Sequence, residues 1–424
     1  MKLIYLVIDG APDSLQDEAT SLEKANKPYL DSIARKGKCG AMYTIAKGIA
    51  PESDSAVLSI LSYDPFKCYT GRGPIEAIGA DMVFKEGFEV AFRANFATVD
   101  PKTLKIIDRR VGRSLRSWEA RELAKALDGL ELGIYDAYVK VKATVAHRAV
   151  VIIGSKSHKL SSGVENTDPA YRRKGQISIA VKDYKPYIMK SKPLVNTLEA
   201  KITAELVNTF TLKAIQLLDE HPINKERARK GLPKANAILL RDAGTKTPKI
   251  EPINKKFNLK FGAIAEMPVE LGIAKILGME VEKIKPRELG EKVNYNLWVE
   301  KTLKLLDKCD IAYVHIKGPD EPGHDGDFEL KVKIIEEIDQ EYIRGILNSI
   351  DLNEVAILVT SDHSTPPSRR AHTDDPVPFT LYYTKIKADA VTKFTERECL
   401  TKGAYGVIDH GWKILPLVIT EVFK

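Results

Sequence analysis

Three short segments share one pattern, a near-continuous apolar run that stops at an acidic or polar turn. They are residues 3–8 (LIYLVI) running into Asp9-Gly10, residues 311–316 (IAYVHI) into Lys317-Gly318-Pro319-Asp320, and residues 355–360 (VAILVT) into Ser361-Asp362-His363. Apolar runs of this length without alternation fit strands buried on both faces, as in a parallel sheet. Helical spacing of Leu22, Ala25, Leu30 and Ile33 predicts a helix over Leu22–Lys36, and Phe328–Leu347 reads as a long amphipathic helix. Strand, turn, helix and strand in that order predict βαβ units and an α/β sheet with helices on both faces.

The middle of the chain reads differently. Residues 76–250 carry strand-like runs at Val90–Val99, Ala149–Ile153, Ile177–Val181 and Ala237–Leu240, interrupted by one clear helix at Thr197–Asp219. Two basic stretches lie among them, Asp108-Arg109-Arg110-Val111-Gly112-Arg113 and Tyr171-Arg172-Arg173-Lys174. The simplest organisation is a discontinuous core of residues 1–75 and 251–424, with residues 76–250 inserted as a smaller α+β domain.

Composition narrows the function classes. The 424 residues are 44% hydrophobic and 29% charged, enough to build a large core and exclude global disorder. Lys+Arg number 65 against 58 Asp+Glu, a net charge of +7. This excess is mild and interspersed with acids, so no nucleic-acid partner is expected. Cys39, Cys68, Cys309 and Cys399 are scattered and form no metal-ligand pair, which suits a reducing compartment. The apolar run before Asp9 is too short for a signal peptide or membrane span. The expected location is therefore the cytoplasm, with no membrane contact. A homo-oligomer is compatible with the sequence.

Ligands bind where the C-terminal ends of parallel strands open into a crevice. Asp9, Asp320, His324, Asp362 and His363 fall at or just beyond such ends, and His372 follows in the next loop. Three carboxylates converging on one edge repel unless a cation compensates them. Mixed Asp and His ligation favours zinc, manganese or iron over calcium, and six ligands suit two ions better than one. His315 lies inside an apolar strand and reads as a satisfied core histidine, while His147, His158, His221 and His410 have no metal-like neighbours. Ser53, in Ala50-Pro51-Glu52-Ser53-Asp54-Ser55-Ala56, begins a helical pattern where unpaired N–H groups favour phosphate. Taken alone, that segment is read more simply as an ordinary serine N-cap.

Longer motifs carry a resemblance. Val7-Ile8-Asp9-Gly10, Pro51-Glu52-Ser53-Asp54, Tyr63-Asp64-Pro65, YTGRGPIEA (69–77), AFRANFATVD (91–100), Asp108–Arg113, His147-Arg148, Thr167-Asp168-Pro169, His315–Asp327 and Ser361-Asp362-His363 occur in order over nearly the whole chain. Together they resemble the archaeal-type cofactor-independent phosphoglycerate mutases of the alkaline phosphatase superfamily. The resemblance implies an alkaline-phosphatase-like parallel-sheet core. It also implies an isomerase that interconverts 3-phosphoglycerate and 2-phosphoglycerate without added 2,3-bisphosphoglycerate.

Carried over by position, Ser53 is the nucleophile. One ion is held by Asp320, His324 and His372, the other by Asp9, Ser53, Asp362 and His363. Mn²⁺ is the expected metal, with Mg²⁺, Co²⁺ or Zn²⁺ also compatible. Arg109, Arg110, Arg113, Arg148 and Arg241 are candidates to grip the glycerate, because an arginine fork suits a carboxylate. Asp108 or His147 is the candidate proton shuttle. Closure of the insert over the metals, hinged near 73–79 and 245–255, would keep water from phosphoserine. Three positions depart from the family pattern: Glu52 and Ser62 where glycine is common, and Leu271 where a lysine often stands. The rival readings are a metal-dependent phosphomonoesterase or another phosphomutase on the same core, and a non-enzymatic anion binder with structural metals.

Overall fold

A computed structural model describes every residue except 175, 176, 182, 288, 289 and 424. All three apolar runs are strands of one eight-stranded sheet, in the order Glu280–Lys283, Phe261–Ala265, Ile311–Ile316, Lys2–Ile8, Val355–Thr360, Val377–Tyr382, Lys38–Met42 and Val407–Ile408. The first five pair in parallel. Val377–Tyr382 runs antiparallel to both its neighbours, so the sheet is parallel-rich and not purely parallel.

Alternation of side chains explains why these runs contain almost no polar residue. Ile4, Leu6, Ile8, Val314, Ile316, Ile357 and Val359 pack into a cluster on one face, with residues from the helices at 28–36, 295–308 and 328–347. Leu3, Tyr5, Val7, Tyr313, Ala356 and Leu358 pack on the other, with Val57, Ile273 and Val418 from three further helices. In register, Val7 lies opposite His315 on one side and Thr360 on the other, so the three strands end level. That alignment brings Asp9, Lys317 and Asp362 to one edge.

Two predicted helices differ in detail. Leu22–Lys36 is broken into Ser21–Lys24 and Pro28–Lys36, because Pro28 cannot continue a helix but serves well in its first turn. The buried Asp339 accepts from the N–H groups of Tyr29 and Leu30 and so closes the second start. Phe328–Leu347 stays helical throughout, with a wider π turn at Ile338–Ile343.

Residues 89–244 build a second, antiparallel sheet from Glu89–Val99, Ile106–Asp108, Ala137–Ala143, Arg148–Ser155 and Ala237–Gly244, plus a two-stranded ribbon that starts at Tyr171–Lys174. Its own apolar cluster joins Val90, Phe92, Ala94 and Phe96 to the helix Leu198–Asp219, which Thr197 caps. The helix Arg72–Gly79, which runs across position 75/76, lies against both the second sheet and the helix Pro268–Ile276. Only glycine permits these approaches: a Cβ on Gly79 would sit 1.7 Å from Pro268 O, and one on Gly73 would sit 2.2 Å from Ala91 O. Among the described residues no helix is long and apolar enough to cross a membrane.

The loop after the first strand is anchored by buried polar groups. Glu396 accepts from the N–H of Asp13 at 2.8 Å and from the Thr20 hydroxyl at 2.6 Å. Burial pushes the Glu396 carboxyl up to about 7, against the opposing effect of those hydrogen bonds. Its folded pKa thus exceeds its unfolded value near 4.5. The protonated form favours folding, and this contribution is lost as pH rises through 7, amounting to about 3 kcal/mol at pH 8. Glu396→Gln mimics the protonated form. It is expected to raise the melting temperature at pH 8 and leave it nearly unchanged at pH 5, in thermal melts at the two pH values. A smaller gain at pH 8 than at pH 5 would refute this.

Candidate active site

Asp9 and Asp362 occupy the first turns beyond two adjacent strands and are fully buried. Gly10, with φ +60°, turns the chain so that its N–H reaches Asp362 Oδ1 at 3.2 Å. Asp320 and His324 lie one turn apart on the helix Asp320–Asp325. His372 comes from the loop beyond His363, and its Nδ1 donates to Pro51 O at 2.7 Å, tying it to the segment before Ser53. Ser53 is the first residue of the helix Ser53–Ile60. Glu52, not Ser53, occupies the N-cap position and makes no side-chain cap there.

These residues meet. Ser53 Oγ is 3.2 Å from His363 Nε2, and the same nitrogen is 3.2 Å from Asp362 Oδ2 and 4.0 Å from Asp9 Oδ1. Asp320 Oδ1 is 3.3 Å from His372 Nε2, 3.5 Å from His324 Nε2 and 4.0 Å from His363 Nδ1. The rings of His363 and His372 stack at 3.7 Å. Burial alone would raise the Asp320 carboxyl. The His372 hydrogen bond and the charges of His363, His372 and His324 hold it well below the carboxylate range instead.

The donor set fits divalent cations. Two groups each place three ligand atoms within 4.8 Å of one another, Asp320 with His363 and His372, and Asp9 with His315 and Asp362. Asp9 Oδ1, Asp362 Oδ2 and Glu270 Oε2 are buried without a hydrogen-bond partner. Such oxygens are rare unless a cation or proton completes them.

Three further residues at this edge were not singled out from sequence as site groups. His315 is indeed fully buried and bonded to the Tyr313 hydroxyl through Nδ1 at 2.8 Å. Its Nε2, however, faces Asp9 Oδ2 at 2.9 Å, so the reading of His315 as only a core histidine is incomplete. Lys317 Nζ touches Asp9 Oδ2 and lies 2.8 Å from Glu270 Oε1. Burial disfavours its charge, but Asp9, Glu270 and Asp362 together raise its pKa and keep it protonated. A lysine ammonium thus reaches this helix from a strand end, although position 271 holds a buried leucine.

The second sheet presents arginines. Phe92, Ala94 and Phe96 face the apolar cluster, so Arg93 and Asn95 fall on the opposite face. There Arg93 is paired in register with Arg241, and Asn95 with Arg148. Asp168, fully buried, accepts from Arg109 Nε at 2.9 Å and Nη2 at 2.6 Å, and from Arg241 Nη1 at 3.2 Å. The Tyr171 ring lies 4.0 Å from the Arg241 guanidinium. Glu76 binds Arg72 at 2.7 Å and Arg93 at 3.3 Å, and Arg72 lies 3.9 Å from Glu52 beside the serine. Of these, Arg72, Arg93, Glu76 and Asp168 were not assigned roles from sequence.

The remaining candidates divide. Burial first, then the charges of Arg148, Arg110, Arg241 and Arg113, push the His147 imidazole down to about 2, so it is neutral at physiological pH. Asp108 is half-buried and accepts from the N–H of Arg110 at 2.6 Å, while Arg110 itself is exposed. Arg113 is already engaged: its fork binds Asp325 at 2.7 and 2.8 Å and Glu321 at 3.2 Å, on the helix that carries Asp320 and His324. Val111, Gly112 and Arg113 all adopt left-handed backbone, φ 55°, 58° and 52°. Strain of this kind on a β-branched residue persists only where the surroundings enforce it.

The chain is similar to known proteins over its whole length. Residues 34–224 match the family described as 2,3-bisphosphoglycerate-independent phosphoglycerate mutase. A curated protein of that name from Aeropyrum pernix is 44% identical over 423 residues, covering 99% of both chains. One from Methanocaldococcus jannaschii is 39% identical, covering 98% of this chain and 96% of its own. Among solved structures, the cofactor-independent phosphoglycerate mutase of Thermoplasma acidophilum superposes with a TM-score of 0.60 at 29% identity over 99% of both chains. A Pyrococcus horikoshii protein superposes at 0.77 and 28% identity, covering 99% of this chain and 96% of that one. With full-length relatives well above 30% identity, this chain belongs to the 2,3-bisphosphoglycerate-independent phosphoglycerate mutase family.

Proposed function

We propose that the chain interconverts 3-phosphoglycerate and 2-phosphoglycerate through a phosphoserine on Ser53, using two divalent cations and no added bisphosphoglycerate. The observation that carries this reading is Ser53 Oγ, 3.2 Å from His363 Nε2, the nitrogen that also lies 3.2 Å from the unpartnered Asp362 Oδ2. Asp320, His324 and His372 would hold one cation, and Asp9, Ser53, Asp362 and His363 the other, with His315 beside Asp9. Cations bound there supply charge neutralisation for the phosphoryl group and lower the pKa of the serine hydroxyl. Mn²⁺ is the ion we favour on the mixed Asp and His donor set.

The geometry supports the following steps for the protein's own residues. Ser53 Oγ attacks phosphorus, the bond to the glycerate oxygen breaks, and that oxygen takes a proton. The arginines of the second sheet, Arg93, Arg148 and Arg241, hold the glycerate by its carboxylate while it turns. Its other hydroxyl then loses a proton and attacks the phosphorus, and Ser53 is released. His147 is the better shuttle candidate, because it is a neutral imidazole among arginines, whereas one Asp108 oxygen is committed to Arg110. Substrate anions raise its basicity by offsetting those arginines. We take residues 76–250 as the substrate-binding insert and the cytoplasm as the place of action.

The reading is tested by stripping the protein with EDTA, restoring Mn²⁺ and supplying 3-phosphoglycerate. Formation of 2-phosphoglycerate is followed through enolase, with free phosphate measured in parallel. Metal-dependent 2-phosphoglycerate without phosphate release is expected. Phosphate alone would make the chain a phosphomonoesterase.

Arg113 gives a separate outcome. Its fork joins the second sheet's loop to the helix bearing Asp320 and His324, so it holds the crevice shut while glycerate turns. Arg113→Ala is expected to raise the ratio of phosphate to 2-phosphoglycerate by about 2–5-fold, the range of a partly exposed ion pair. An unchanged ratio at reduced turnover would place Arg113 outside closure.

A further inference from the structure

We propose that Thr365 is a positioning residue that couples the two candidate cation sites, setting which ring nitrogen His363 presents and where Asp320 points. This rests on the two-cation reading above. Thr365 is fully buried, and each of its polar groups is engaged. Its hydroxyl donates to Asp320 Oδ1 at 2.8 Å and lies 3.0 Å from His363 Nδ1. Its N–H donates to Pro12 O at 3.0 Å, and its carbonyl accepts from Lys331 Nζ at 2.9 Å.

A hydroxyl has one proton to give, and an ionised carboxylate can only accept. With that proton directed to Asp320, His363 must donate through Nδ1–H to the Thr365 oxygen. The Nε2 lone pair is then left free, and Nε2 is the atom that faces Ser53 Oγ and Asp362 Oδ2. One hydroxyl therefore fixes a ligand of each site. Metal-binding histidines commonly have their second nitrogen fixed in this manner.

The surroundings leave Thr365 little freedom. A Cβ on Gly323 would lie 2.3 Å from Thr365 O, and one on Gly10 would lie 2.8 Å from its Oγ1. Lys331 is fully buried and also donates to Pro12 O at 3.1 Å, with its charge met by Asp13. A single ammonium thus ties the loop after Asp9 to the loop after His363, with Thr365 between them and the Asp320 helix.

Thr365→Val keeps the shape and removes the hydroxyl, while Thr365→Ser keeps the hydroxyl. EDTA-stripped full-length wild type and both variants are titrated with Mn²⁺ by calorimetry, with circular dichroism and melting in EDTA as folding controls. Thr365→Val is expected to bind Mn²⁺ about 10–100-fold more weakly, and Thr365→Ser to bind close to wild type. In histidine-¹⁵N-labelled stripped wild type, His363 is expected to carry its proton on Nδ1. Unchanged Mn²⁺ affinity and stoichiometry in Thr365→Val overturns the proposal, as does a wild-type His363 protonated on Nε2 alone. If Thr365→Val fails to fold, the wild-type tautomer and the serine variant still decide. Wild type that takes up no Mn²⁺ overturns the two-cation reading itself.

Discussion

Ser53→Ala is expected to lower mutase turnover by about 10⁴-fold or more, the scale seen when a nucleophile is removed. The two hydroxyl-bearing carbons of glycerate are adjacent, so neither oxygen can attack phosphorus in line while the other still holds it. A carrier atom is therefore needed, and Ser53 Oγ is the hydroxyl placed beside His363 and Asp362. The fold should tolerate the change. Ser53 follows the N-cap and does not supply it, so no helix cap is lost, and removing its contact with His363 costs about 1 kcal/mol. The variant should still bind Mn²⁺ through its remaining ligands, and its digests should lack the phosphoserine peptide formed by wild type with 3-phosphoglycerate. Turnover above one part in a hundred with no phosphopeptide would mean that another residue carries the phosphoryl group.

The core was legible because its strands are buried on both faces and read as plain apolar runs with chemistry at their ends. Asp9, Asp320 and Asp362 stand where a run of Val, Ile and Leu stops, which is where parallel strands expose ligands. Less legible were the strand Val377–Tyr382, whose run begins Val-Pro, and the break before Pro28. At the arginine face the sequence showed basic residues without their counter-charges. Asp168 lies 59 residues from Arg109 and 73 from Arg241, and no local spacing links them. The signal that could have found them is an ionised group inside an apolar setting. Arg93 interrupts Ala-Phe-Arg-Ala-Asn-Phe, and Glu270 interrupts an otherwise apolar helix start. A charge that folding buries needs a partner, a cation or a ligand.

Asp168→Asn is the second large effect expected. The carboxylate is fully buried and shared by two guanidiniums, presenting both oxygens to Arg109 while one also serves Arg241. An asparagine amide keeps one acceptor and sets a donor against a donor at the other position. Removing one partner from a buried charge pair costs about 3–5 kcal/mol, chiefly by leaving its counterpart unpaired. Arg93 makes that worse, since burial, Arg241 and Arg72 already depress its pKa to about 10. Two consequences compete at the substrate. Extra positive charge attracts an anion, whereas loosened forks no longer fix its orientation. The carboxylate of bound phosphoglycerate can replace the lost counter-charge, so binding should be largely preserved. Orientation cannot be replaced in this way, and misplacement by about 1 Å is worth about 100-fold in rate. The expected result is kcat lower by about 100-fold with KM within about threefold of wild type. Inorganic phosphate should also raise the melting temperature of Asp168→Asn more than that of wild type. A rise in KM of similar size with kcat unchanged would show that these arginines bind ground state and transition state alike, and serve no part in turning the glycerate.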